Sequence, residues 1–306
     1  FGGADAASSQ GASAPIPGID IWWRGFNDPE LTRIIEITLD QNLDLAAALA
    51  RVEQGRAAAR GAGARLLPSF DASAQASWQH QSLESPTGSI AGNFPGYDRD
   101  QSLYDVGVAA SWEIDLFGGL RRTAEAASAE AQAAEAARMG TRISVAADAA
   151  DAYLRIRGAQ RRIAVAVEQV STNSQLLELV RLRFDKGLAS KREVAQAEAL
   201  AAPARASLSP LRIELGAQLN RLDVLMGAQP GTYAATLSDA AIIPSAPAIM
   251  GASPIDVLRR RPDVIAAERR LAATNARIGT AIAEYYPKLS IASLLGFESS
   301  SPGNLF

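Results

Sequence analysis

His80 is the only histidine in the chain, and there is no cysteine. A multi-histidine metal centre, a thiolate metal site, a cysteine nucleophile and a disulfide framework are therefore all excluded. A serine–histidine relay would have one possible base. His80 lies in a polar run beside a stretch that reads as a loop, where a solvated imidazole is the simpler reading. Glu113 and Asp115 are carboxylates two apart with no histidine or metal-type partner. Neither Gly-x-Gly-x-x-Gly nor the phosphate-loop pattern occurs. No catalytic residue, no cofactor-binding residue and no metal ligand is expected, and no cofactor is implied. The chain does not read as an enzyme. Residues two apart on a strand point the same way, so Glu113 and Asp115 would suit the lining of a surface better than a reaction centre.

The elements that would carry such a surface follow from the pattern of the chain. Its 306 residues could hold two or three ordinary domains. A net charge of −3 argues against nucleic acid, which normally demands a basic face. No stretch approaches the ~18 uncharged apolar residues of a membrane helix. The longest uncharged run, residues 240–255, contains Pro244, Pro247 and Pro254 and reads as a linker. Hydropathy alone says soluble.

Residues 1–27 form an extended N-terminal segment, rich in Gly, Ala, Ser and Pro over the first 20. Asp28-Pro29-Glu30 supplies an N-cap, a proline at the first helical position and an early acid. Helix is expected over 28–67, jogging near Asn42 and stopped by Pro68. The period then changes. Phe70, Ala72, Ala74, Ala76 and Trp78 alternate with Asp71, Ser73, Gln75, Ser77 and Gln79, one apolar and one polar face of a strand. Residues 83–101 read as a long loop. Alternation returns from Tyr104 to Leu116, with Asp105, Ser111, Glu113 and Asp115 on the polar side. Residues 68–119 are thus expected to be a β-hairpin closed by Gly118 and Gly119.

Residues 120–227 read as a long helical hairpin. No proline appears from Leu120 to Asp185, a stretch of about 66 residues that would span roughly 100 Å as one helix. That length needs a coiled coil, a bundle or a barrel of helices. Its first third is crowded with alanine, which lets neighbouring backbones approach closely. Residues 186–190 form the tip: Gly187 suits a left-handed helix end and Ser190 an N-cap, with Glu193 completing a capping box. The return helix carries Pro203 and Pro210 as expected kinks. A linker over 228–254 leads to another opening helix, 255–287, and to a further strand from 288, where Leu294 blurs the alternation.

This last portion repeats the first. Leu39, Asp44, Ala47, Ala48, Arg51, Ala57, Ala62, Ala64 and Pro68 meet Leu258, Asp263, Ala266, Ala267, Arg270, Ala276, Ala281, Ala283 and Pro287 at a constant offset of 219 positions. One unit used twice in quasi-symmetric roles is implied.

Strand hairpin, very long helix, tip, return helix and a second start together resemble the outer-membrane efflux proteins, the TolC/OprM family. Four motifs stand in the right order. Trp22-Trp23-Arg24-Gly25-Phe26-Asn27-Asp28-Pro29-Glu30-Leu31 resembles the family's opening. Trp112-Glu113-Ile114-Asp115-Leu116-Phe117-Gly118 is similar to its barrel-to-helix junction. Arg183-Phe184-Asp185-Lys186-Gly187-Leu188-Ala189-Ser190 resembles its periplasmic tip. Arg261-Pro262-Asp263-Val264 with Tyr285-Tyr286-Pro287 resembles its second repeat. The subfamily resembled is that of the outer-membrane lipoproteins of resistance-nodulation-division pumps.

The resemblance implies a mixed α and β fold, in which a long α-helical coiled-coil barrel, the periplasmic tunnel, joins a transmembrane β-barrel built by a homotrimer. It implies a Gram-negative outer membrane, with the helices in the periplasm, and a passive exit channel for small molecules such as drugs. Its partners would be a periplasmic adaptor protein, an inner-membrane pump acting indirectly, and outer-membrane lipid. Asp71, Ser73, Gln75, Asp105, Glu113 and Asp115 would face the lumen. Pro68, Gly118, Gly119 and Pro287 would mark the barrel–helix junction. Gly187, Leu188, Ala189 and Ser190 would meet the adaptor, and Glu193 would help hold the entrance shut. The family's mature lipoproteins start at an acylated cysteine, which this chain does not contain, so a lipid anchor stays undecided. The fourth strand, second long helix and second tip are missing, and the chain is expected to be a fragment of a longer protein. Two other functions stay open at this point: the outer-membrane channel of type I protein secretion, and a soluble periplasmic coiled-coil adaptor.

Overall fold

A computed structural model describes residues 21–237, 242–247 and 254–305. The expected N-terminal segment lies outside the described residues up to residue 20, as do two parts of the 228–254 linker. The described residues fall into two compact units, one drawn from 1–51 and 135–265 and the other from 52–134 and 266–306.

In the first unit, residues Trp22–Phe26 make a short 3₁₀ turn where an extended segment was expected. Trp22 packs edge-on against Trp23 and Phe26, with ring centroids 5.9 and 6.1 Å apart, and Asn27 closes the turn in the left-handed region. Helix α1, Pro29–Gln41, follows with Asp28 as its N-cap: one carboxylate oxygen accepts from the amides of Glu30 and Leu31. Asn42 interrupts the helix and caps the next one, accepting from Asp44 and Leu45 while its side-chain amide donates to the Leu225 carbonyl. The core gathers Leu31, Ile34 and Ile35 of α1 against Ala146, Ala149, Ala150, Tyr153 and Ile156, with Leu222 and Met226. Tyr153 Oη donates to the second Asp28 oxygen at 2.8 Å, and the Arg157 guanidinium lies 5.0 Å over the Tyr153 ring.

The helix begun after Asn42, α2, spans Leu43–Ala64 rather than reaching Leu67. Pro68 accounts for the difference. It offers no N–H to the Ala64 carbonyl and disfavours helical dihedrals at Leu67, so the chain closes by shorter bonds, Leu66 to Gly63 and Leu67 to Ala64.

The second unit carries a three-stranded antiparallel sheet in the order β1-β2-β3, with β1 Ser69–His80, β2 Asp100–Ile114 and β3 Leu289–Ser299. Between β1 and β2, the stretch expected to be loop contains a short helix α3, Pro86–Ala91. Ser85 caps it by accepting from Gly88, and Pro86 takes the first position. That is the same N-cap and proline signal read at Asp28-Pro29, overlooked among the surrounding glycines.

Helix α4, Gly119–Asp185, runs for 67 residues without a break. In the second unit its Ala126, Ala129 and Ala133 are buried, and so are Ala273 and Ala276 of helix α8, Pro262–Ala283. A Cβ added to Gly55 would stand 3.2 Å from the Ala131 backbone, and one added to Gly119 would stand 3.1 Å from Ala283. Small residues thus set the helix spacing. Arg277 pairs with Glu130 at 2.9 Å on the rim of this packing.

The return arm is α5, Lys191–Ala206, and α6, Leu208–Leu225. Expected kinks at Pro203 and Pro210 resolve differently. Helix α5 runs through Pro203, and the break falls at Ser207. The Pro210 ring would meet the carbonyl four residues back, at Ala206, which is where α5 ends.

Helix α7, Pro254–Arg260, precedes α8. Shifting by 219 positions places both ends of α2 on both ends of α8, the Asn42 break on Arg261, and the last residue of α1 on the last residue of α7. The repeat read from the sequence is a repeat of element boundaries. Among the described residues no helix is long and apolar enough to cross a membrane, a statement that does not bear on β-barrels.

Candidate functional site

Three places hold the residues singled out from the sequence: the faces of the sheet, the turn between strand and long helix, and the hairpin tip. Residues paired across an antiparallel ladder point to the same side. The register therefore sorts the sheet into two faces. Asp71, Ser73 and Gln75 pair with Ala109, Gly107 and Asp105, and Asp105 pairs onward with Glu298. Glu113 shares that face through Ser290. The opposite face carries Phe70, Trp78, Tyr104, Val106, Val108, Trp112, Ile291, Leu295 and Phe297. Leu294 sits on the polar face opposite Ala109, which is why the third strand's alternation looked blurred.

Both faces are bare. Trp78 is 67%, Val108 47% and Leu295 77% exposed. Along the apolar face a tryptophan stands at each end, with Tyr104 near one and Phe70 near the other, while Phe297 lies in the Val106 row between them. Trp78 lies in the row of Ser102, and Trp112 lies ten positions further along β2. Ten residues of strand are roughly 33 Å, and a strand tilted as in a barrel would bring those rows to about 25 Å of height. The rows between are filled largely by Ala72, Ala74, Val106, Val108, Ala110 and Leu295. Glu298, which places a second carboxylate directly beside Asp105, was missed. Counting alternate positions from Leu289 would have found it.

His80 is the last ladder pair of β1, and its Nδ1 lies 2.7 Å from an Asp100 oxygen, both side chains half exposed. Among the described residues no group of three or more His, Cys, Asp or Glu side chains could hold a metal ion.

At the turn, Asp115 is not a strand residue. Strand β2 ends at Ile114, and the Asp115 carboxylate accepts from the amides of Leu120 and Arg121 and pairs with the Arg121 guanidinium at 3.1 Å. It caps the first turn of α4, where unpaired amides and the helix dipole both favour an anion. Burial pulls its acidity the other way, but those bonds outweigh it and hold the carboxyl below its ordinary value. Leu116, read with the strand, also lies past its end. Gly118 takes φ +81°, and Gly119 begins the helix against Ala283. Pro68 and Pro287 stand just before β1 and β3. Phe117 stacks on Tyr286, centroids 4.5 Å apart and 15° from parallel, so the Asp-Leu-Phe-Gly and Tyr-Tyr-Pro segments meet. The Trp112 indole donates to the Leu66 carbonyl at 3.0 Å, pinning the strand to the turn after α2.

At the tip, α4 ends in a paired turn: Leu188 N–H donates to the Arg183 carbonyl and Gly187 N–H to that of Phe184, with Gly187 at φ +72°. This is the bond pattern that satisfies the last carbonyls of a helix. Ser190 then caps α5, its hydroxyl accepting from Glu193 while Glu193 accepts the Ser190 amide at 2.6 Å. The Ser190 amide and hydroxyl hold the Glu193 carboxyl below its ordinary value. Leu188 is 69% exposed between these two caps.

The sequence profile described as "Outer membrane efflux protein" matches residues 34–228. The chain is 32% identical over 288 residues to the pyoverdine export outer membrane protein OpmQ of Pseudomonas putida, covering 93% of this chain and 60% of that protein. It is 32% identical over 302 residues to the outer membrane protein OprJ of Pseudomonas aeruginosa, covering 98% and 61%. Among solved structures it superposes on the outer-membrane channel OprN with a TM-score of 0.80 at 32% identity, covering 94% of this chain and 62% of that one. The chain thus spans about three fifths of the length of the curated relatives it matches.

Proposed function

The chain belongs to the outer membrane efflux protein family, and from that premise we propose that it builds the wall of an exit channel in the outer membrane of a Gram-negative bacterium. Three copies join their strands into one closed barrel, and the long helices continue it as a tunnel into the periplasm. Closure follows from the sheet: β1 and β3 leave unpaired backbone on their outer edges, and hydrocarbon tolerates no such edge. The apolar face meets lipid and the polar face, with Asp71, Ser73, Gln75, Asp105 and Glu113, meets water in the lumen. Asp115 does not join them, because its carboxylate is committed to the α4 cap.

One observation carries the reading: a bare sheet with one continuous apolar face, bounded at both ends by aromatic residues at a spacing that suits a bilayer. A half-buried sheet of a water-soluble protein would need a core against that face. The channel conducts passively and calls for no catalysis; an inner-membrane pump supplies the drive. The tip at Gly187–Ser190, where small residues surround the exposed Leu188, receives a periplasmic adaptor. Glu193 serves the cap and, through it, the closed entrance. Pro68, Gly118, Gly119 and Pro287 are the corners between barrel and tunnel. Small molecules, drugs among them, are the cargo.

The test is electrical. The full-length protein, purified as a trimer and added to a planar bilayer, gives discrete ionic conductance steps. A purified trimer that leaves the bilayer silent at every voltage and pH tried contradicts the proposal.

A further inference from the structure

We propose that the cavity where β2 meets α4 binds the phosphoethanolamine headgroup of a membrane lipid. Arg65 and Lys288 take its phosphate, and Glu113 and Glu284 take its ammonium. The proposal rests on the channel reading for the presence of lipid at this level.

The cavity measures about 150 Å³, and every residue of its wall belongs to the second unit. The end of β2 supplies Glu113 and Ile114, the first turns of α4 supply Leu120 and Thr123, and α8 supplies Thr280. Glu113 comes from the polar face of the sheet and Ile114 from the apolar one, because the strand ends there. A cavity of this volume admits a molecule the size of benzene. Drug-sized ligands need a pocket of about 300 Å³ or more, so cargo of that size does not fit.

The charges of the wall are mixed and do not meet. Arg65 and Lys288 line it as cations, Glu113 and Glu284 as carboxylates. Among the described residues none of these four side chains has an ion pair or hydrogen bond. Asp115, by contrast, is committed to Arg121 and the α4 amides. Glu113 is also half-buried, where a carboxylate without a partner is costly. Opposite charges around one small cavity, too far apart to bond each other, call for a dipolar group between them.

Phosphoethanolamine is such a group, with a phosphate and an ammonium joined by two carbons. The Arg65 guanidinium can give a phosphate two parallel donors, and an ammonium has three N–H groups for carboxylates. A choline headgroup has none to give. A glycerol headgroup brings the negative charge alone and leaves both carboxylates unmatched.

Position favours a lipid over a solute. Ile114 lies two residues beyond Trp112 on the apolar face, paired with Leu289. Tryptophan at a membrane border marks the headgroup level, and the Trp112 row was placed at one such border above. Leu116 and Phe117 of the wall are exposed, and Phe117 stacks on Tyr286. They give the charged cavity an apolar sill, from which acyl chains can run along the sheet past Ile114.

The test uses the full-length trimer, stripped of lipid in detergent, with native mass spectrometry reading the lipid retained. Dioleoylphosphatidylethanolamine should be retained at one per copy, about ten-fold more tightly than the phosphatidylglycerol or phosphatidylcholine of the same chains. Arg65→Ala/Lys288→Ala should weaken it about ten-fold or more, and Glu113→Gln/Glu284→Gln should erase its advantage over phosphatidylglycerol. Where a double variant does not assemble, Lys288→Gln and Glu284→Gln, single changes at exposed side chains, should show the same losses in smaller measure. Equal retention of the three lipids by the parent, or variants that retain them as the parent does, overturns the site. Displacement of the lipid by an equal concentration of free phosphoethanolamine overturns the lipid as occupant. A parent that prefers the ethanolamine lipid but is silent in a planar bilayer sinks the channel reading and leaves the headgroup site standing. A conducting parent without the preference does the reverse.

Discussion

Replacing Val108 by lysine should separate the two faces of the sheet more sharply than any other single change. Val108 pairs with Ala72 on one side and Leu295 on the other, one row from the midpoint between the Trp78 and Trp112 rows. Its neighbour Ala109 lies at nearly the same depth but on the polar face, opposite Asp71. A lysine facing lipid at the bilayer midplane costs about 2–4 kcal/mol, and one facing a lumen costs little. With three copies the Val108→Lys trimer should lose about 6–12 kcal/mol, whereas Ala109→Lys should stay within about 0.5 kcal/mol per chain, as surface changes do. The assay is urea unfolding of the trimer folded into phosphatidylcholine vesicles, followed by tryptophan fluorescence. The midpoint should fall steeply for Val108→Lys or the trimer should fail to insert. Equal losses at both positions, or a greater loss at Ala109, would refute the face assignment.

Tyr153→Phe removes the hydroxyl that donates to Asp28. With Asp28 half-exposed, the loss should be about 1.5 kcal/mol, the low end for a hydrogen bond to a charged group, read as a lower urea midpoint for the helical portion. Gly187→Ala has open space for its methyl but a left-handed backbone. It should cost about 1–2 kcal/mol of local stability, seen as faster proteolysis at the tip. The Glu193 carboxyl is held below its ordinary value of 4.5, so its contribution is complete above that pH and lost as pH falls through the lower folded value. Exchange protection of the first α5 amides should therefore decay on acidification in the parent and show no such step in Glu193→Gln; a step of equal size in both would exclude the capping box as its cause.

Much of this architecture was legible because periodicity and punctuation agree. The switch from helical to two-residue period at Pro68 and the capping signals at Asp28 and Ser190 each rest on the backbone's need to satisfy its own amides and carbonyls. Long-range geometry was not legible. Nothing local announces that Asp115 reaches forward to the amides of Leu120 and Arg121, since a carboxylate at the end of an alternating run looks like one more strand residue. That Glu298 stands beside Asp105 needed the ladder register, which no single strand contains. The short helix at Pro86–Ala91 carried its signal openly in Ser85-Pro86, but the glycine-rich surroundings argued for loop. The break at Ser207 depended on which carbonyl Pro210 would strike, a question of neighbours along the helix rather than of proline count.

Solvent access along β2 is the most direct probe of the central claim. A cysteine placed singly at each position from Ser102 to Glu113, in the membrane-inserted protein, should react with a charged thiol reagent at Asp105, Gly107, Ala109 and Ser111. At Tyr104, Val106, Val108 and Ala110 it should stay unreactive, while a fluorophore attached before insertion is quenched by brominated lipid. A reactivity profile without that two-residue period, or one with the faces exchanged, would contradict a barrel that holds water inside and lipid outside.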